Sequence, residues 1–94
     1  MVEIRWSDLA DENLQDIHDF IAKDSIRYAD KEITKIFKRV EILRTYPESG
    51  KIVLEFNRET VRELVEGNYR IVYKIFPDAS ITILSVHHHS KLLQ

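Results

Sequence analysis

The sequence predicts an α+β domain in which an N-terminal strand and a helical hairpin pack on one face of an antiparallel β-meander. Two segments with apolar residues at spacings of three and four come early, over roughly residues 8–23 and 26–45. Segments rich in β-branched and aromatic residues follow, and short turn signals separate them. Since 94 residues suffice for one domain and not for two, we expect a single domain over residues 1–94.

The N-terminal half is predicted to begin with a short strand and to continue into two helices. Val2, Ile4 and Trp6 alternate with charged residues, which predicts a strand with one buried face. Ser7 and Ser25 stand before the two helical segments, where serine is a typical N-cap. The short connection makes the helices antiparallel neighbours, the first acidic outside and the second basic. The core positions predicted outside the later strands are Trp6, Ala10, Leu14, Ile17, Ile21, Ile26, Ala29, Ile33, Ile36, Val40 and Leu43, with Phe56 expected to join them.

The second half is predicted to form four strands joined by tight turns. They are expected at residues 51–56, 61–66, 69–76 and 80–88. The pair Gly67-Asn68 is a strong signal for a two-residue hairpin loop, which places Leu64 opposite Ile71. A second turn is expected to pair Ile75 with Ile81, so that the third of these strands lies between two others.

Opposed residues on neighbouring strands share a face, so the predicted pairing sorts the side chains into two sets. The face expected to carry the helices holds Leu64, Ile71, Tyr73, Ile75, Ile81 and Ile83. The other face is mixed apolar and basic and holds Val65, Arg70, Val72, Lys74, Leu84, Val86 and His88. In this register Arg70 lies opposite Val86 and close to His88. With Lys91 they are predicted to form a small cationic corner that suits a macromolecular partner.

Composition excludes several classes of protein. The absence of cysteine excludes disulfide frameworks and thiolate chemistry. Successive residues of a strand point to opposite faces, so the run His87-His88-His89 is not expected to bind a metal, and no cofactor motif is present. A net charge of −2 argues against a general nucleic-acid binder, and the basic face of the second helix is expected to be solvated. No apolar run or signal core is long enough for a membrane segment, so we expect a cytoplasmic protein.

Several motifs, taken in order and spacing, resemble the RelE/ParE superfamily of bacterial toxins. They are Trp6-Ser7, Asp16-Ile17, Phe20-Ile21-Ala22, Tyr46-Pro47, Gly50, Glu55, the stretches 61–64 and 67–73, the stretch 83–88, and Lys91-Leu92. The resemblance implies the toxin of a type II toxin–antitoxin system, also called a plasmid stabilisation protein, with the helical hairpin and meander described above. It also implies a cognate antitoxin that wraps the toxin with an extended or helical segment, and contact with DNA only through that antitoxin.

The resemblance divides by target into two branches. ParE-like members poison DNA gyrase, and the N-terminal half and the strand 69–73 look more like this branch. The first hypothesis is therefore a toxin that blocks gyrase by protein–protein contact. The residues expected to bind are Arg62, Arg70, Lys74, Val86, His88 and Lys91.

The alternative hypothesis is a RelE-like endoribonuclease that cleaves mRNA on the ribosome. Metal-free cleavage needs an acid, a base and cations that hold the phosphate. His88 has the imidazole that titrates near neutrality, and Arg70 and Lys91 are the cations. A third hypothesis is a non-toxic relative that retains only antitoxin binding.

Two of these arginines also have structural interpretations. Arg70 on a strand is expected to form a salt bridge with a neighbour such as Glu63 or Glu66, as often as it binds a partner. Arg62 falls on the helix-facing side, where it is expected to pair with an acidic residue of the first helix unless a bulge reverses the register.

Overall fold

The computed structural model describes residues 2–89 of the chain. Its elements, in chain order, are β1 (Ile4–Trp6), α1 (Asp8–Ala22), α2 (Ile26–Glu41), β2 (Lys51–Ile52), β3 (Val61–Glu66), β4 (Tyr69–Ile75) and β5 (Ile81–His88). A short 3-10 turn, Ile42–Arg44, continues α2. The predicted α+β class, with a helical hairpin preceding a meander, is confirmed.

The strands form one sheet in the order β1-β5-β4-β3-β2, so β4 is central, as predicted. The pairs β2–β3, β3–β4 and β4–β5 are antiparallel, as hairpin connections require. The pair β1–β5 is parallel. Between these two strands the chain passes through both helices and the three other strands, and β5 then lies beside β1.

Local capping defines where both helices begin. The Ser7 hydroxyl accepts the backbone N–H of Ala10, and the Ser25 hydroxyl accepts that of Tyr28, each at 3.0 Å. The two helices are joined laterally by His18 Nε2 and Asp30 Oδ1, 2.7 Å apart.

The main core lies between the helices and one face of the sheet. Its buried members are Ala10, Leu14, Ile36, Val40, Leu43, Leu64, Ile71, Tyr73, Ile81, Ile83 and Val86, and Trp6 packs against them. Ile26 was expected in this core, but its side chain is 65% exposed, because it stands at the first turn of α2, beyond the sheet.

The Tyr73 hydroxyl links the core to the segment before β2 through two hydrogen bonds. The Tyr73 hydroxyl accepts the backbone N–H of Gly50 at 2.9 Å and donates to the carbonyl of Pro47 at 2.8 Å. A Cβ on Gly50 would lie 2.6 Å from the carbonyl oxygen of Glu63, so only glycine allows this approach. Burial raises the pKa of Tyr73, against the lowering effect of the Gly50 hydrogen bond.

The predicted strand register holds for β3–β4 and fails in the second half of β5. Leu64 pairs with Ile71, and Ile75 pairs with Ile81, as expected. Between Val72 and Tyr73 the pairing shifts by one residue. The extra residue is Leu84, a β-bulge that turns every later side chain of β5 to the other face.

The strand predicted at residues 51–56 ends at Ile52. The chain then turns back over the sheet, and Val53 packs with Val61, Val72 and Leu84 in a second, small core on the face away from the helices. Phe56 was predicted to be a core residue and is instead 49% exposed, because it lies within this turn, where its N–H donates to the carbonyl of Val53.

Candidate interaction face

The sheet surface opposite the helices is called here the helix-free face. The side chains that define it are Val61, Glu63, Val65, Arg70, Val72, Lys74, Leu84, Ser85 and His87. Part of it is covered by the segment 53–60, and the rest is exposed or half-buried. It is thus the part of the sheet that a second macromolecule reaches without displacing the helices.

Arg70 is held in an ion-pair network on this face, near the hairpin end of the central strand. Its Nε donates to Glu63 Oε2 at 2.8 Å, and its Nη2 donates to the same oxygen. A second carboxylate, from Glu55, lies 3.7 Å from Nη2. The Arg70 side chain is only 11% exposed. The sequence-based alternative of a salt bridge with Glu63 is confirmed, and this guanidinium is already neutralised by its own chain.

The bulge brings a different histidine to Arg70 from the one predicted. His87, not His88, is the cross-strand partner of Arg70 in β5. The His87 Nε2 lies 2.8 Å from the hydroxyl of Ser85 on the same face. A signal for this shift was present in the sequence, because regular alternation would have placed the polar Ser85 in the core and the apolar Val86 outside it.

Val86 and His88 lie on the helix side of the sheet, which corrects their predicted placement. Val86 is buried in the main core, and its N–H donates to Asn13 Oδ1 at 3.0 Å. The ring of His88 meets the edge of the Tyr69 ring, with centroids 5.8 Å apart. The predicted cationic corner is therefore not assembled: Arg70 and His88 occupy opposite faces, and Lys91 lies outside the described residues.

Arg62 serves the fold rather than a surface. Its guanidinium donates to the backbone carbonyls of Glu59 at 2.9 Å, Gly50 at 3.0 Å and Glu48 at 3.3 Å, and lies 3.5 Å from the Glu48 carboxylate. The expectation of a structural arginine is confirmed, but the expected partner in the first helix is wrong. Arg62 fastens the segment before β2 to the sheet.

Apolar and charged side chains together supply the accessible part of the helix-free face, since the exposed segment 54–60 includes Glu55, Arg58 and Glu59. Val65 is 40% exposed next to Arg70 in the sheet, and Leu54 and Phe56 of the covering segment are also exposed. The Lys74 ammonium lies 5.0 Å from the centre of the Phe76 ring. Such a mixture of apolar and polar side chains is compatible with protein–protein contact, because typical interfaces combine an apolar centre with a polar rim.

Within residues 2–89 no three His, Asp or Glu side chains group as they would around a metal ion. Among the same residues, neither helix combines the length and the apolar character needed to cross a membrane.

Comparison with known proteins identifies a family whose sequence model matches this chain. A sequence model described as "ParE toxin of type II toxin-antitoxin system, parDE" matches residues 4–93. A chain of the chromosomal ParDE toxin–antitoxin system from P. aeruginosa is similar in structure, with a TM-score of 0.75 and 20% identity over 94% of this chain and 96% of that one. A chain of the RelBE2 toxin–antitoxin complex from Mycobacterium tuberculosis matches with a TM-score of 0.58 and 22% identity, covering 93% and 96%. A search of curated proteins gave no significant match.

Proposed function

This chain belongs to the ParE toxin family of type II toxin–antitoxin systems, and we propose that it inhibits growth by binding DNA gyrase through the helix-free face, without chemistry of its own. The family supports the target, and the exposed apolar side chains of Val65, Leu54 and Phe56 support recognition by contact. Val65, Lys74 and the exposed side chains of the segment 53–60 are the residues that meet gyrase in this proposal.

The observation that carries the proposal is the state of Arg70. A nuclease needs free cations to hold the phosphate during cleavage, because negative charge develops there. Arg70 instead shares its charge with Glu63 and Glu55 and is largely buried. Binding RNA there would require breaking a partly buried ion pair and leaving two carboxylates beside the phosphate, which is electrostatically unfavourable.

We also propose a cognate antitoxin as the partner that silences this toxin. Both structural relatives above come from systems named for a toxin and an antitoxin together. An amphipathic antitoxin segment that covers the exposed apolar residues of the helix-free face would block gyrase by occupying its binding surface.

The nuclease alternative keeps one specific observation in its favour, which is the Ser85–His87 pair beside Arg70. A cleavage mechanism on this face would use His87 as acid or base, whereas His88 faces the other side of the sheet. His87→Ala is therefore the variant that separates the two functions, with His88→Ala as its matched control.

The experiment that tests the proposal compares two readouts for the same purified toxin. Incubation with DNA gyrase and supercoiled plasmid is expected to yield trapped DNA breaks after protein denaturation. Primer extension on translated mRNA is expected to show intact transcripts. Cleavage at defined codon positions that disappears in His87→Ala, with no trapped breaks, would contradict the proposal.

A further inference from the structure

The segment 53–60, which covers part of the helix-free face, is attached to the sheet at both of its ends. At one end the Val53 N–H donates to the carbonyl of Val61 at 3.1 Å, and the Val53 side chain is buried in the small core. At the other end the Ile75 N–H donates to the carbonyl of Thr60 at 2.8 Å. Every residue of the segment after Val53 is exposed, so little apolar burial holds its middle, and opening it costs little.

The middle of the segment forms one tight turn at residues 54–57. The N–H groups of Phe56 and Asn57 both donate to the carbonyl of Val53, each at 3.1 Å. Asn57 has a φ of +48°, in the left-handed region that asparagine tolerates better than most residues. The turn carries Leu54 and Phe56 at the surface, where these residues are 85% and 49% exposed.

Glu55 connects the 54–57 turn to the sheet. Its Oε2 lies 3.7 Å from Arg70 Nη2, and its side chain is 44% exposed. The Arg70 guanidinium is also held by Glu63, so its position does not depend on the turn. An ion pair as exposed as the one with Glu55 is weak, and it can therefore form and break while the domain stays folded.

The two glutamates at Arg70 have different roles. Glu63 is largely buried, and one of its carboxylate oxygens accepts from both Nε and Nη2 of Arg70. A buried charge needs one close counterion, and Glu63 already supplies it. The Glu55 carboxylate is thus not needed to neutralise the guanidinium. Its contact instead gives the 54–57 turn a fixed place on the helix-free face.

We propose that Arg70 is a positioning residue for recognition, because it docks Glu55 and so holds Leu54 and Phe56 where a partner meets them. The inference rests on the proposed function, in which these two side chains contact gyrase. It deepens that function, since Arg70 then acts through the 54–57 turn and not through a contact of its own. Only the docked turn presents both side chains, so the docked fraction scales the apparent affinity.

The test follows amide hydrogen exchange at Phe56 and Asn57 in the purified toxin by NMR. Glu55→Gln removes the charge of the side chain and keeps its shape. Exchange of both amides is expected to become about two- to fivefold faster, as the loss of a partly exposed ion pair implies, while the amides of β3 and β4 keep the parent rates. Glu59→Gln makes the same charge change at the far end of the segment and is expected to leave all these rates unchanged.

A second background shows whether Glu55 acts through Arg70. Arg70→Met with Glu63→Met removes the docking cation together with its buried counterion. Adding Glu55→Gln to this background is expected to leave exchange of both amides unchanged, because the pair that it would break is already absent. Sodium chloride at about 1 M screens the same pair and is expected to accelerate exchange in the parent but not in Glu55→Gln. Parent-like exchange in Glu55→Gln, or equal acceleration with and without Arg70, would overturn the inference.

Gyrase trapping separates this inference from the proposed function. Glu55→Gln is expected to need more toxin than the parent for half-maximal trapping, by up to the factor seen in exchange. Glu12→Gln, the same change on the exposed side of α1, is expected to trap as the parent does. Faster exchange with parent-like trapping in Glu55→Gln would refute the positioning role. Absence of trapping by the parent would defeat the gyrase proposal, while exchange would still decide whether Arg70 holds the turn.

Discussion

The two faces of the sheet differ in the kinds of side chain they carry, although the same strands supply both. The face under the helices has a mainly apolar centre, in which Ile71, Ile81 and Ile83 have no exposed surface. The helix-free face has only a small apolar cluster and an ion-pair network around Arg70. The first face holds the domain together, since apolar burial is the main stabilising force in a domain of this size. The second face keeps exposed side chains such as Val65.

This difference predicts that exposed residues of the helix-free face contribute little to folding and more to the proposed binding. A half-covered apolar patch adds little stability until a partner removes it from water. The ion pair of Arg70 with Glu63 prevents the same patch from carrying an unpaired buried charge. The predictions below separate the two faces by the size of the effect that each substitution produces.

The largest effect is expected for a truncation in the helix-covered core. Ile83→Ala should lower the free energy of unfolding by about 2–5 kcal/mol, because it leaves a cavity in a fully buried site. Val65→Ala on the helix-free face removes a partly exposed side chain and should change the free energy of unfolding by less than about 0.5 kcal/mol. Urea unfolding followed by circular dichroism measures both. Equal losses would show that the two faces do not differ in the way described.

A smaller effect is expected for the ion pair on the helix-free face. Arg70→Met should destabilise the domain by about 2 kcal/mol, because the largely buried Glu63 carboxylate loses its counterion. The double variant Arg70→Met with Glu63→Met should recover most of that loss, since no charge is left unpaired. A double-mutant cycle from urea unfolding gives the coupling directly. A double variant as unstable as the sum of the single ones would contradict the pairing.

The smallest effect concerns the phenol that links the helix-covered core to β2. Tyr73→Phe should cost about 1–2 kcal/mol, since Gly50 and Pro47 lose their hydrogen-bond partner. The raised pKa of Tyr73 in the folded state means that its contribution is present below the usual tyrosine value of 10.0 and is lost as pH rises through the folded pKa. Unfolding at several pH values should show this alkaline loss in the parent and a smaller one in Tyr73→Phe. An identical alkaline profile in both proteins would rule the explanation out.

The sequence predicted the fold where short-range signals determine geometry. The two-residue turn at Gly67-Asn68 set the β3–β4 register, and every pair from Val61 to Glu66 follows it. Serine caps and apolar spacing likewise located both helices. These features depend on neighbours in the chain and on one turn conformation, with Gly67 at a φ of +57°.

The candidate site was predicted less well, because it depends on one extra residue. No turn motif in the sequence requires a bulge at Leu84. The bulge nevertheless places His87, instead of His88, beside Arg70 and moves Val86 into the core. The sequence narrowed the partner of Arg70 to two glutamates, and Glu63 is the one that shares its face. The contact of Glu55 with Arg70 could not be predicted from the sequence, because Glu55 comes from a segment that was expected to be an extended strand.

The central claim is that gyrase is bound by the helix-free face through contact alone. Its most direct test is gyrase trapping by a toxin that carries Val65→Asp and Lys74→Glu, with Asp16→Asn on the helix side as the control. Charges placed in a contact surface of this kind should reduce trapping at least about tenfold, while the folded state and the control remain normal. Trapping equal to that of the parent would contradict the claim and place the gyrase-binding surface elsewhere on the molecule.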